Sequence, residues 1–130
     1  ERRELLSLIG SFIEMGHVEN IAAMFRQDLR LYALTGDLLR DERFVVRIGM
    51  AVLFEELAAT RPAEIQLAIP FLLPLLQEET PYLRGEAATL LGIIGAPEAV
   101  AAVVPLRYDP DPQVAEIAAD ILAEQNRQGP

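Results

Sequence analysis

Thr80 to Leu122 reads TPYLRGEAATLLGIIGAPEAVAAVVPLRYDPDPQVAEIAADIL. The stretch carries a helical pattern, a tight turn, a second helical pattern, another turn, and then the first pattern again. Leu83-Arg84 aligns with Val114-Ala115, 31 residues on, and with Val46-Arg47, 37 residues back. In that register Met50-Ala51, Ala87-Ala88 and Ala118-Ala119 coincide, and so do Leu53-Phe54, Leu90-Leu91 and Ile121-Leu122. Apolar residues at i, i+4, i+7 and i+8 form one face of an α-helix. Small residues in the middle of that face let a neighbouring helix approach closely. Self-similarity at a period of roughly 30–45 residues marks a solenoid, whose units bury their apolar faces only against one another.

Punctuation follows the same register. Thr80-Pro81 and Asp111-Pro112 each offer an N-cap with proline at the first helical position. Gly95 stands where a helix should end, and Pro97 opens the next with Glu98 in its first turn. In the earliest copy the corresponding cap is Arg43, a poor one, so Asp41 is the expected start. Upstream of each copy, FLLPLLQEE (Phe71 to Glu79) aligns with AVVPLRYDP (Ala102 to Pro110), placing Pro74 on Pro105. A proline inside a helix removes a backbone bond, so a built-in kink is expected at that repeat position. The first copy has Asp37 there, beside Gly36.

From about Asp28 to Gln125 these features resemble HEAT repeats, of the short bacterial and archaeal type with the pattern D…VR..AA..LG.IG.PEA. The resemblance implies an α-solenoid acting as a protein-binding scaffold. Arg47 and Arg84 match the family's ladder arginine, with an acid six residues before each, Asp41 and Glu78. The third copy keeps Asp109 but has Ala115 in place of arginine. The ladder expected from this pattern joins Arg47 to Glu78 and Arg84 to Asp109.

The chain has 130 residues, the size of one domain, and 52% of them are apolar, enough for a core. The formal net charge is −9, and every basic residue is arginine. An acidic surface disfavours nucleic acid and anionic membranes, which need a basic face. Cysteine is absent, which excludes disulfides and thiolate chemistry. With no signal peptide legible, the expected location is cytoplasmic. The first residue is not Met, which leaves open a piece of a longer protein.

The expected architecture is all-α: a right-handed α-solenoid of about four antiparallel helix pairs in one domain, 1–130. Residues 1–27 form divergent N-terminal capping helices, with helix-pair repeats at 28–60, 61–95 and 96–126. Helices are expected over Arg2 to Met15, His17 to Arg26, Asp28 to Leu39 with Gly36 as an interruption, Asp41 to Ala59, Pro62 to Gln77, Thr80 to Ile94, Pro97 to Arg107 and Asp111 to about Asn126, with a frayed tail from Arg127. The buried side of the first takes Leu5, Leu6, Leu8, Ile9, Phe12 and Ile13, and Leu29, Tyr32 and Leu38 point inward from the third.

No residue set points to catalysis. His17, the one histidine, follows Gly16 at a helix junction and reads as a turn or helix-start residue. Ser7 and Ser11 lack a glycine-framed elbow, and no P-loop, dinucleotide fingerprint or HExxH is present. The acidic pairs Glu55-Glu56, Glu78-Glu79 and Asp109/Asp111 lack the spacing of a calcium loop. No catalytic, cofactor or metal residue is therefore assigned.

A binding face remains. The second helix of each pair should line the concave side, presenting Ile48, Val52 and Glu56, then Gly85, Thr89 and Ile93, then Glu116, Asp120 and Glu124. Apolar at one end and acidic at the other, this face suits a peptide or helix with apolar anchors and basic flanks. In the alternative, the N-terminal helices fold over Ile48 and Val52, and the acids are merely solvated. The expected function is non-catalytic protein–protein interaction. The runner-up is a HEAT-like enzyme or enzyme subunit, for example one resembling bilin lyases. A third possibility is a structural or oligomerisation unit of a larger assembly.

Overall fold

The computed structural model describes Glu1 to Gln128. Eight α-helices run in order: α1 Arg2–Glu14, α2 Val18–Gln27, α3 Thr35–Leu39, α4 Phe44–Thr60, α5 Ile69–Leu72, α6 Pro81–Ile94, α7 Pro97–Val103 and α8 Pro112–Gln128. Four 3₁₀ segments, Leu29–Leu34, Glu64–Ala68, Leu73–Gln77 and Val104–Tyr108, complete the shorter helices. The described residues contain no strand, and the fold is an all-α stack of helix pairs. α6 packs between α4 and α8, while α1 and α2 both lie against α4.

The apolar arc of α1 buries Ile9 and Ile13 and half-buries Leu5, Leu6 and Phe12. Leu8, expected inward, is exposed; it lies about 100° around the axis from Ile9, outside the arc. Gly16 (φ 87°) turns the chain, and His17 occupies the N-cap position of α2 without a side-chain bond. The third helix starts as 3₁₀ at Leu29, which is exposed rather than inward, and becomes α-helical only at Thr35. The change falls at Leu34, so Gly36 is not the interruption but a residue inside α3. A Cβ at Gly36 would lie 2.7 Å from the Phe71 carbonyl oxygen, so only glycine lets these two first-layer helices meet.

α4 begins at Phe44, not at Asp41. Asp41 is engaged elsewhere: its Oδ1 accepts from the Arg43 backbone N–H at 2.9 Å, and its carboxylate takes the Arg43 guanidinium by two bonds. That local turn holds Arg43 extended and delays the helix. The next helix likewise starts late. Pro62 and Ala63 form a turn, and 3₁₀ structure begins at Glu64.

Pro74 and Pro105 are each the second residue of a 3₁₀ segment. Proline cannot donate the i→i−4 bond, so the chain tightens to i→i+3 pairing rather than simply bending. Thr80 sits at the N-cap of α6, but its side chain makes no cap bond. Asp111 does cap α8, its Oδ1 accepting from Gln113 N at 2.9 Å and Val114 N at 3.1 Å. Gly95 (φ 71°) ends α6 in the left-handed region. The tail expected to fray from Arg127 is helical to Gln128, and Gly129 and Pro130 lie outside the described residues.

The core is a single apolar cluster from Ile9 to Ala118. Phe25, Tyr32 and Phe54 form its aromatic centre, edge to face at 5.0 and 6.4 Å between centroids. Burial, with the Glu64 charge adding to it, pushes the Tyr32 phenol up to about 12. Where α1 crosses α4, a side chain at Gly49 would collide with Ile13. Truncating a buried leucine in such a core costs about 2–5 kcal/mol.

Candidate binding surface

The two repeat-matched arginines use their guanidinium groups differently. Arg84 donates through Nη1 to the carbonyls of Glu78 and Glu79 at 2.6 and 3.0 Å. Its Nε and Nη2 hold Asp109 Oδ2 and Oδ1, each at 2.8 Å. The Arg84 guanidinium holds the Asp109 carboxyl below the usual carboxylate range.

Arg47 donates through Nη1 to the carbonyls of Asp41 and Glu42, the same two repeat positions, at 2.8 and 3.1 Å. It does not reach Glu78, contrary to the expected ladder. Glu78 is held by Arg40 Nη2 at 2.9 Å. The equivalent of Arg40 in the next repeat is the neutral Gln77, so no rival cation competes for Asp109. Arg47 instead lies over the rings of Tyr82 (4.4 Å) and Phe44 (5.6 Å), with Glu86 Oε2 4.0 Å from its Nε.

The outward residues of α4, α6 and α8 fall into separate depressions. Thr89, Ile93, Asp120 and Glu124 are brought together, with Gly92 and Ile121 as the floor, in a groove of about 270 Å³ between α6 and α8. The Thr89 hydroxyl donates to its own helix at Gly85 O. Glu124 pairs with Arg127. Val52 and Glu56 border a wider hollow of about 420 Å³ against α2, with Glu19 and Glu55 on its rim. Glu56 faces Arg26 Nη1 at 3.7 Å. Glu116 is exposed and Gly85 is buried. Neither N-terminal helix covers the outward residues of α4: Ile48 is 48% and Val52 50% exposed. Acids therefore flank both ends of the face, where the sequence reading placed them at one.

A third depression, of about 220 Å³, lies between the first turns of α4, α6 and α8, bordered by Phe44, Arg47, Tyr82, Glu86, Asp111 and Ile117. Sequence reasoning missed it. Phe44 is 63% and Tyr82 45% exposed. The signal was available: large apolar residues in the first turns of two repeat-matched helices, outside the core register.

His17 is exposed, and its ring meets only the edge of Phe12 at 5.9 Å among aromatic neighbours. Among the described residues no group of three or more His, Asp or Glu is arranged to hold a metal ion. No described helix is long and apolar enough to cross a membrane.

Residues 33–123 match the HEAT-repeat family, HEAT repeats by description, and the chain belongs to that family. No curated protein and no solved structure matches it.

Proposed function

We propose that the chain is a non-catalytic protein-interaction module that holds a partner protein or peptide across the exposed faces of α4, α6 and α8. HEAT repeats are generally protein-interaction or scaffold modules. The observation that carries the reading is the uncovered apolar pair Ile48 and Val52 on α4, together with the separate groove around Ile93 bordered by Asp120 and Glu124. Exposed apolar surface with a charged rim is what a partner covers. The acidic rim, on a chain of net charge −9, favours a partner segment with basic flanks. In this reading residues 1–27 close the N-terminal end of the stack, and Arg84–Asp109 fixes the spacing of the groove walls.

The test is affinity capture from source-cell lysate with wild type and with Val52→Arg/Asp120→Arg, after circular dichroism shows equal helicity. The expected result is a protein retained by wild type and lost by the variant. Equal capture by both moves the interface off this face. Capture of nothing, with enzymatic turnover surviving the double variant, favours an enzyme or enzyme subunit.

A further inference from the structure

The depression at the first turns of α4, α6 and α8 holds a carboxylate that the fold leaves poorly compensated. Glu86 is half-buried and accepts no hydrogen bond among the described residues. Its one nearby cation is Arg47, whose Nε stands 4.0 Å away. Arg47 makes no hydrogen bond to Glu86: Nη1 is committed to two backbone carbonyls, and the guanidinium plane lies against Tyr82. Burial pushes the Glu86 carboxyl above its ordinary range, and Arg47 only partly offsets it. Asp111 adds a second carboxylate at the rim, with Oδ1 used in capping α8. Opposite stands Tyr82, an exposed aromatic side chain, and at the floor Ile117 closes over Gly85, 3.2 Å from where a Cβ would sit.

We propose that this groove receives a basic side chain, lysine or arginine, of a protein partner, its cation held by Glu86 and Asp111 and its stem laid along Tyr82 and Ile117. The inference rests on the reading of this face as a protein-binding surface and adds a specific anchor to it. A cation supplies the hydrogen-bonding counter-charge that Glu86 lacks. The groove is small, so one side chain fills it and a folded surface does not enter.

The test is a titration of ¹⁵N-labelled protein with N-acetyl-arginine methylamide, with the neutral N-acetyl-glutamine methylamide as control. Saturable shifts at the Tyr82, Gly85 and Glu86 amides are expected with arginine and not with glutamine. Glu86→Gln keeps the shape and removes the charge, and weakening of about tenfold is expected, the loss of one charge-assisted contact. Shifts centred on Glu116, Asp120 and Glu124, or affinity unchanged in Glu86→Gln, overturn the proposal. Capture abolished by Val52→Arg/Asp120→Arg but untouched by Glu86→Gln also overturns it, and leaves the protein-binding reading standing. Saturable binding at Glu86 with capture insensitive to the double variant supports a cation groove and counts against the rest of the face.

Discussion

Arg84 grips Asp109 by two parallel bonds of 2.8 Å, with the Asp109 side chain 5% exposed. The pair joins α6 to the turn that precedes α8, and Asp109 Oδ1 also accepts from the Asp111 backbone at 2.9 Å. Removing one partner leaves a desolvated charge behind. Asp109→Ala is expected to cost about 3 kcal/mol in denaturant unfolding, the lower end for a broken buried pair. A loss under about 1 kcal/mol, the scale of a surface ion pair, would show that solvent screens the contact.

The same pair sets an acid limb of stability. The Asp109 carboxyl titrates below its ordinary value of about 3.9 because Arg84 holds the charged form. Its contribution is complete above that unfolded-state value and is lost as pH falls through the depressed native one. Stability measured downward from pH 5 should therefore fall less steeply below about 4 in Asp109→Asn than in wild type. Parallel curves would remove Asp109 from the acid response.

Glu78 is held by Arg40 and not by Arg47, the arginine at the ladder position. The Arg40–Glu78 pair is substantially exposed, so Arg40→Gln should cost less than about 1 kcal/mol. Its informative effect is structural: freed from Arg40, Glu78 is expected to turn to Arg47 and complete the bidentate grip that Arg84 makes. A structure of Arg40→Gln with Glu78 left in solvent would refute competition as the cause.

Gly36→Ala reverses the usual helix rule. Alanine in a helix interior normally stabilises relative to glycine by about 1 kcal/mol. Here the added Cβ would press on the Phe71 carbonyl, which is backbone and cannot rotate away. A net loss of about 2 kcal/mol is expected, the scale of an overpacked core. A thermal melt with a raised midpoint would contradict it.

Tyr32 is 1% exposed, and its hydroxyl makes no hydrogen bond among the described residues, nor do Glu64 Oε1 and Arg26 Nη1, whose charges both act on it. Tyr32→Phe removes an unsatisfied polar atom while keeping both aromatic edges, so unfolding free energy should stay level or rise by about 1 kcal/mol. A loss of that size would instead mean that a bound water links the three groups.

The helix pairs were legible because their signals are local: apolar spacing in the second helices, proline at the start, glycine at the end. Arg84–Asp109 was legible for the same reason, being a repeated pair with nothing to disturb it. Arg47–Glu78 was misread because its outcome depends on Arg40, a residue outside the repeat pattern. The start of α4 was misplaced because Asp41 binds Arg43 instead of capping. The grooves are properties of packed helices, not of any one of them. Ile48 and Val52 could be named from one helix, but the closeness of Tyr82 to Arg47, and the isolation of Glu86, appear only once α4 and α6 are packed.

The four 3₁₀ segments all fall in the first-helix layer, whereas α4, α6 and α8 are uninterrupted. Hydrogen bonds of 3₁₀ geometry are poorer than those of an α-helix. The molecule is thus a laminate of a stiff ply and a compliant one, and bending strain should collect in the compliant ply. Amide exchange should reach Leu73–Gln77 and Val104–Tyr108 well before the centre of α6. A partner seated on the stiff ply would feel a nearly fixed template while the opposite side absorbs the flexing.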